Sequence, residues 1–344
     1  MAMPAACVAR PGCGQRTTVD ALNLDPRVKR LLLIALGLSF VPAIFGWLAA
    51  QWVFRPNPTV VSALPGDLNG EALNLQTADN VALRAWYLTP PQGAISGAVL
   101  LLHCRGCNRG SMLDRARFLV TQGYATLLPD FRGEGGSEPV LRGMGLYEVK
   151  DVEASLAELH KRVGEVPLAI VGRSKGAAAA VYAHPDVDAL VLESMYSDFL
   201  TVVEHRLVER FGEWSGHLAP LIAGPLAFGM EVNRHQAVPI GHLATIRTPA
   251  LIIGGDRDSL VPWSETQALY DVKPGEKALW RLVGAGHVDA YRFAPLAWQE
   301  QVGGFLRGVF SRVEIDPVDT DETTSGSAAS IAAPSDVPRL SDVP

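Results

Sequence analysis

The sequence predicts a three-layer α/β domain with a mostly parallel central sheet and helices on both faces. Three observations carry that expectation. The runs "AVLLLH" (98–103), "LAIVG" (168–172) and "ALIIG" (250–254) are almost wholly apolar, not alternating, as expected for strands buried on both faces of a parallel sheet. Segments with apolar residues three and four apart lie between such runs. Strand and helix patterns alternate, which places helices against the two faces of the sheet.

Taken in order, strands are expected at Val81–Leu88, Ala98–His103, Ala125–Asp130, Leu168–Gly172, Ala189–Glu193, Ala250–Gly254 and Ala278–Val283. The turns "GDLNG" and "TADN" predict antiparallel edge strands within 60–88. Ser111 and Asp114 have capping-box spacing, and Gly123 should stop that helix. Val149, Val152, Leu156, Leu159 and Val163 fall on one helical face. "KGAAAAVYAH" (175–184) is a strong helix former, and its small side chains allow close packing on a sheet. A last helix, Pro295–Phe310, should bury Leu296, Val302, Phe305 and Val309. Between Glu193 and Ile246, "FLTVVEHRLVERFG" and "LAPLIAGPLAFGM" read as apolar helices. An insert at about 197–245, placed after a strand, would lie over the carboxyl edge of the sheet as a lid.

The regions flanking this folded unit (56–311) differ in character. Residues 1–30 are polar and basic. Residues 31–54, "LLLIALGLSFVPAIFGWLAAQWVF", carry no charge; as a helix they would span roughly 36 Å, enough for a bilayer. Arg27, Lys29 and Arg30 precede them, and Trp47 and Trp52 cluster at the far end, where amphipathic rings favour the interface. A transmembrane anchor is therefore expected, with the N-terminus cytoplasmic and the domain outside the cytoplasm. A buried core helix and a secretory signal are the competing readings, the second weakened by a long n-region and a poor cleavage site at "LAAQW". Residues 312–344 are acidic, lack aromatics and repeat Ser-Asp-Val-Pro, and so read as a disordered tail. The net charge of -6 and the lack of a basic cluster in the folded unit argue against nucleic acid as a partner. Four cysteines are too few for a disulfide scaffold. Nothing in the sequence sets an oligomeric state.

Chemistry concentrates at a few loops. Gly172-Arg-Ser-Lys-Gly176 is a G-x-S-x-G segment between a buried strand and the alanine-rich helix. The two glycines leave room for a sharp bend that lifts the Ser174 hydroxyl clear of the sheet; a tight turn with a helix-capping serine is the bland alternative. A serine hydroxyl needs a base, and the base needs an acid to orient it. Both follow downstream. "GGDRDSLVP" offers Asp258, with Asp256 as the alternative, and "GAGHVDA" offers His287 in a glycine-lined loop. His160, His184, His205, His217, His235 and His242 lack such a setting and read as surface or lid residues.

With these motifs in view, residues 56–311 resemble the α/β-hydrolase superfamily, in particular its small serine hydrolases with a modest lid. "HCRGCNR" (103–109) resembles the family's His-Gly-x-x-Gly-Asn-Arg, "FRGEGGS" (131–137) its Arg-Gly-x-Gly-x-Ser loop, and "GDRDSLVP" its Gly-x-x-Asp-x-x-Val-Pro, which puts the acid at Asp258. The resemblance implies an oxyanion hole from the backbone N–H groups of Lys175 and Arg105, with Cys104 as the alternative to Arg105. It also implies that His103, Asn108 and Arg109 support that loop. The departure is that Cys104 and Cys107 stand where relatives carry glycine, and cysteine disfavours positive φ. Small space-filling cysteines, a disulfide that stiffens or switches the loop, and a metal site are three competing readings. The expected activity is hydrolysis of an ester or thioester through an acyl-enzyme, lipid-like acyl groups included, with no metal or organic cofactor. Peptidase and acyltransferase chemistry run on the same residues, and a non-catalytic binding module on the same scaffold is the rival from another class.

Overall fold

The computed structural model describes residues 25–91, 94–221, 238–287 and 289–313, with some side chains of the first helix excepted. The expected acidic tail, the N-terminal basic segment up to residue 24, His235 and most of "LAPLIAGPLAFGM" lie outside the described residues.

The described residues open with a helix, α1 (Pro26–Phe54), in which the N–H of Arg27 is capped by Asp25 and Pro26 suits a first turn. Among the described residues no helix is long and apolar enough to cross a membrane. The short strand β1 (Asn57–Pro58) follows, then β2 (Gly70–Gln76), β3 (Ala82–Leu88) and β4 (Gly97–Leu102). Helix α2 (Leu113–Thr121) leads to β5 (Tyr124–Pro129) and the two-residue β6 (Glu134–Gly135). Next come α3 (Val149–Val163), β7 (Leu168–Arg173), α4 (Lys175–Ala183) and β8 (Ala189–Glu193). The expected insert holds α5 (Phe199–Phe211) and α6 (Pro239–Leu243). The fold closes with β9 (Ala250–Gly255), α7 (Trp263–Val272), β10 (Lys277–Leu282), α8 (Ala290–Phe293) and α9 (Pro295–Val313).

Eight strands form one sheet in the order β10-β9-β8-β7-β4-β5-β3-β2. Among the described residues only the β2–β3 and β3–β5 pairings are antiparallel; β4, β5, β7, β8, β9 and β10 run parallel. Each strand expected from an apolar run is present within a residue or so. All positions of β4, β5, β8 and β9 are buried, because α3, α4, α5, α6 and α7 supply one core layer and α2, α8 and α9 the other. The chain reverses its winding between β4 and β7, the place where open α/β sheets bind ligands.

Two local expectations are corrected. Ser111 and Asp114 form no capping box: α2 has no side-chain cap, and the Ser111 hydroxyl donates back to the Asn108 carbonyl at 2.7 Å. A one-turn 3-10 helix (Arg109–Met112) precedes α2, and Asn108 caps that turn instead. On α9, Leu296 is exposed, whereas Trp298, Leu306 and Phe310 join Val302 and Val309 in the core. The helix presents a slightly rotated face because Trp298 anchors its first turns under α2, edge-on to Phe118 at 6.0 Å. Gly123 (φ +88°) does end α2, as expected.

Candidate functional site

The turn between β7 and α4 is set by two contacts that only glycine permits. A Cβ at residue 172 would stand 2.6 Å from the backbone N and Cα of Ala177. One at residue 176 would meet the Leu102 carbonyl carbon at 2.7 Å and the His103 oxygen at 2.8 Å. The start of α4 therefore presses on the end of β4. Between the two glycines, Ser174 takes φ 51° and ψ -112°. Non-glycine residues avoid this region, and they are held in it where the surroundings over-determine the backbone. The N–H of Ser174 donates to the Glu193 carbonyl at 2.7 Å, and its own carbonyl accepts from Ala177 and Ala178.

The Ser174 side chain makes no capping bond. Its hydroxyl lies 3.3 Å from His287 Nε2, so the turn-capping alternative does not describe it. His287 Nδ1 lies 2.8 Å from Asp258 Oδ2. A carboxylate only accepts, so Nδ1 carries the hydrogen and Nε2 presents a lone pair to the serine. The other oxygen of Asp258 accepts from the N–H groups of Leu260 (2.9 Å) and Val261 (2.8 Å), which fixes the carboxylate in a buried position. Asp256 is elsewhere: it accepts from Gly284 N–H at 2.7 Å and pairs with Arg281 at 3.1 Å. Of the two acids, then, only Asp258 reaches His287. Such an arrangement can take a proton from a hydroxyl and hold the resulting imidazolium against a carboxylate.

The 103–109 loop runs past this turn. Cys104 and Cys107 are joined in a disulfide, Cα to Cα 5.3 Å. The space-filling and metal readings of this pair give way to that bond. The positive φ in this loop falls on Gly106 (φ +73°), and neither cysteine carries one. His103 is fully buried. Its Nδ1–H donates to the Cys104 carbonyl at 2.8 Å, and its Nε2 accepts from Phe131 N–H at 3.0 Å. Burial, its largest influence, lowers its pKa and keeps the ring neutral. It is a brace. Asn108 receives Gly110 N–H at 3.0 Å and donates to Thr59 at 3.1 Å. Arg109 pairs with Asp130 and stacks over Trp86 at 4.8 Å. Arg105 is half-buried, its pKa lowered to about 10 by burial first and by neighbouring Arg142 second.

Two buried charge clusters were not foreseen. Lys175 is completely buried, its Nζ 2.5 Å from Glu134 and 3.0 Å from Glu148. Arg142 meets Glu134 at 2.8 Å. On the other side of the sheet, Arg115 binds both oxygens of Glu193 (3.1 and 2.5 Å) and Asp289 at 2.9 Å. Trp298 donates to Glu193 at 2.6 Å, and Arg173 reaches Asp289 at 3.0 Å. This second cluster ties the residue before Ser174 to the loop carrying His287. The only signal in the sequence was charge inside otherwise apolar or glycine-rich stretches, which by itself names no partner.

The described part of the insert sits over the loop of Asp258: His205 Nδ1 donates to the Leu260 carbonyl at 2.9 Å, and Ser259 donates to Glu209 at 3.1 Å. His184 and Thr245 meet at 3.3 Å, His242 packs on Tyr182 at 5.1 Å, and His160 faces Glu165 at 3.6 Å, none of them in contact with Ser174.

Comparison with known proteins agrees with this architecture. Residues 93–236 match the family model described as serine aminopeptidase, S33. The chain resembles the uncharacterized protein YfhR of Escherichia coli K12, with 22% identity over 280 residues covering 79% of this chain and 91% of YfhR. It also resembles the alpha/beta hydrolase domain-containing protein WAV2 of Arabidopsis thaliana, with 25% identity over 259 residues, 69% of this chain and 81% of WAV2. Among solved structures, a Pyrococcus furiosus esterase superposes with a TM-score of 0.60 at 25% identity, covering 74% of this chain and 98% of the esterase. Fold, turn and matches agree on the α/β-hydrolase fold, and the chain resembles proteins of that superfamily.

Proposed function

We propose that the protein is a membrane-anchored serine hydrolase that cleaves an ester or thioester acyl bond. The observation that carries the reading is the contact chain from Ser174 to His287 (3.3 Å) to Asp258 (2.8 Å). Ser174 attacks the acyl carbonyl while His287 Nε2 takes its proton. Asp258 holds the ring and stabilises the imidazolium. The backbone N–H groups of Lys175 and Arg105 face the developing oxyanion; deleting one such donor costs about 3 kcal/mol of barrier in enzymes of this kind. His287 then protonates the leaving group, and water clears the acyl-enzyme by the same steps in reverse.

An ester is favoured because the matched Pyrococcus protein is an esterase. The name of the matched family, serine aminopeptidase, supports a second reading, cleavage of an aminoacyl amide. A series of p-nitrophenyl esters, thioesters and aminoacyl anilides tests both. Turnover of one class that disappears in Ser174→Ala is expected; turnover that survives that substitution, or none in any class by folded protein, removes the proposal.

The anchor is proposed from α1. Its stretch 31–54 is uncharged, and Leu31, Leu33, Ile44 and Trp47 are more than half exposed on it, an arrangement that water disfavours and lipid satisfies. The disulfide supports placing the domain in an oxidising compartment. Alkaline carbonate extraction should leave the full chain with the membrane; its release into the wash would remove the anchor.

A further inference from the structure

We infer that Glu134 is a positioning residue for the oxyanion hole: a single buried carboxylate ties together the two stretches of backbone that supply its donors. The inference rests on the serine-hydrolase reading and deepens it. Glu134 Oε1 accepts the N–H of Gly106 at 2.6 Å, the peptide immediately after Arg105. Its Oε2 accepts from Lys175 Nζ at 2.5 Å, the side chain of the residue immediately after Ser174. Arg105 and Lys175 are the two residues whose backbone N–H groups the proposed mechanism uses. Each donor is thus held one step away by the same group.

The rest of the environment makes this tie rigid. Glu134 and Lys175 have no exposed side-chain surface. Glu148, itself fixed by the N–H groups of Gly143 and Gly145 at 2.9 Å, holds Lys175 from the other side at 3.0 Å. Arg142 meets Glu134 at 2.8 Å, and the charge of Arg105 also acts on both carboxylates, so cations hold Glu134 from more than one side. The Cys104–Cys107 disulfide closes the turn that contains Gly106, whose N–H meets the buried Glu134. Lys175 cannot swing away, so the first turn of α4 is pinned both at the elbow and at the tip of this side chain. A displaced donor costs rate because oxyanion stabilisation depends on donors already in place before charge develops, and shifts of about 1 Å can cost about a hundredfold.

The test uses the full chain and two variants. Glu134→Gln keeps the shape and an acceptor for Gly106 but turns a donor toward Lys175. Glu134→Gln combined with Lys175→Met removes both ends of that tie, and its thermal melt is read beside that of the single variant to establish that each is folded. Both are measured with the best p-nitrophenyl substrate and with a trifluoromethyl ketone that forms a tetrahedral adduct. Where the variant melts as a folded protein, kcat is expected to fall about tenfold to a hundredfold. KM should stay within about twofold, and the ketone should bind more weakly by the same factor as kcat/KM. A purely structural role would lower melting temperature without that split. Unchanged kcat in either folded variant, or a rise confined to KM, overturns the inference. A wild-type chain without turnover or ketone binding would remove the serine-hydrolase reading and this inference with it; an active wild type with unaffected variants would remove the inference alone.

Discussion

Gly176→Ala gives a sharp test of how the turn is built. The added Cβ would stand 2.7 Å from the Leu102 carbonyl carbon and 2.8 Å from the His103 oxygen, where ordinary contact begins at 3.4 Å. Both neighbours are backbone at the end of a central strand, so neither can rotate aside. The Leu102 carbonyl oxygen lies closer still, so the elbow and the strand end must part by at least about 0.7 Å, the difference between 3.4 and 2.7 Å. Overpacking of this kind costs about 1–3 kcal/mol of stability. Its effect on rate should be larger in proportion. The displacement separates Ser174 and Lys175 from the 103–107 loop, and misplacement near 1 Å costs about a hundredfold. A loss of roughly tenfold to a hundredfold in kcat is therefore expected, with a melting temperature lower by several degrees. The assays are steady-state ester turnover and a thermal melt on the same preparation. Wild-type kcat in a folded Gly176→Ala protein would refute the close-approach argument, because no other atom is changed.

Further outcomes follow from the same geometry. Asp258→Asn should lower kcat about 10⁴-fold, about 5 kcal/mol, because the amide favours the tautomer of His287 that cannot accept the serine proton; a pH–rate profile and kcat measured beside wild type check it. Glu193→Gln should cost about 3 kcal/mol, the lower end for breaking a buried pair, since Asp289 still faces Arg115; a denaturant titration reads this directly, and a change below about 1 kcal/mol would contradict it. Acid should destabilise the fold through Glu134. Burial alone would raise this carboxyl, but Lys175 and its other partners outweigh burial and hold it at about 2 against an ordinary 4.5. A depressed acid contributes stability above its unfolded pKa and loses it as pH falls, here between about 4.5 and about 2, on the order of 3 kcal/mol in all. Denaturation midpoints across that window should drop more steeply for wild type than for Glu134→Gln; parallel slopes would contradict the assignment.

The sheet was legible because its strands are buried on both faces. Continuous runs such as Ala98–Leu102 and Ala250–Ile253 have no solvent side to blur the pattern. The site was legible because Ser174, Asp258 and His287 each follow a strand, in loops where the fold itself asks for no such residue. What stayed hidden depends on distance in sequence. Glu193 meets Arg115 and Trp298, 78 and 105 positions away, and no local pattern announces either pairing. Lys175 read as one residue of a helix start, yet it is buried against two acids. The capping box failed for a related reason. Asn108 already caps a preceding turn, so Ser111 bonds backward. The cysteines were ambiguous because the sequence does not say which residue of the loop takes positive φ; Gly106 does, and that frees both sulfurs to meet.

The account stands on Ser174 being the group that attacks. Full-chain protein should be treated with a fluorophosphonate and the adduct located by tandem mass spectrometry, in wild type and in His287→Ala. The expected result is one dominant adduct on the peptide containing Ser174, lost or greatly slowed when His287 is replaced. Folded wild-type protein that takes up no label at Ser174, or labels there equally well without His287, would contradict it.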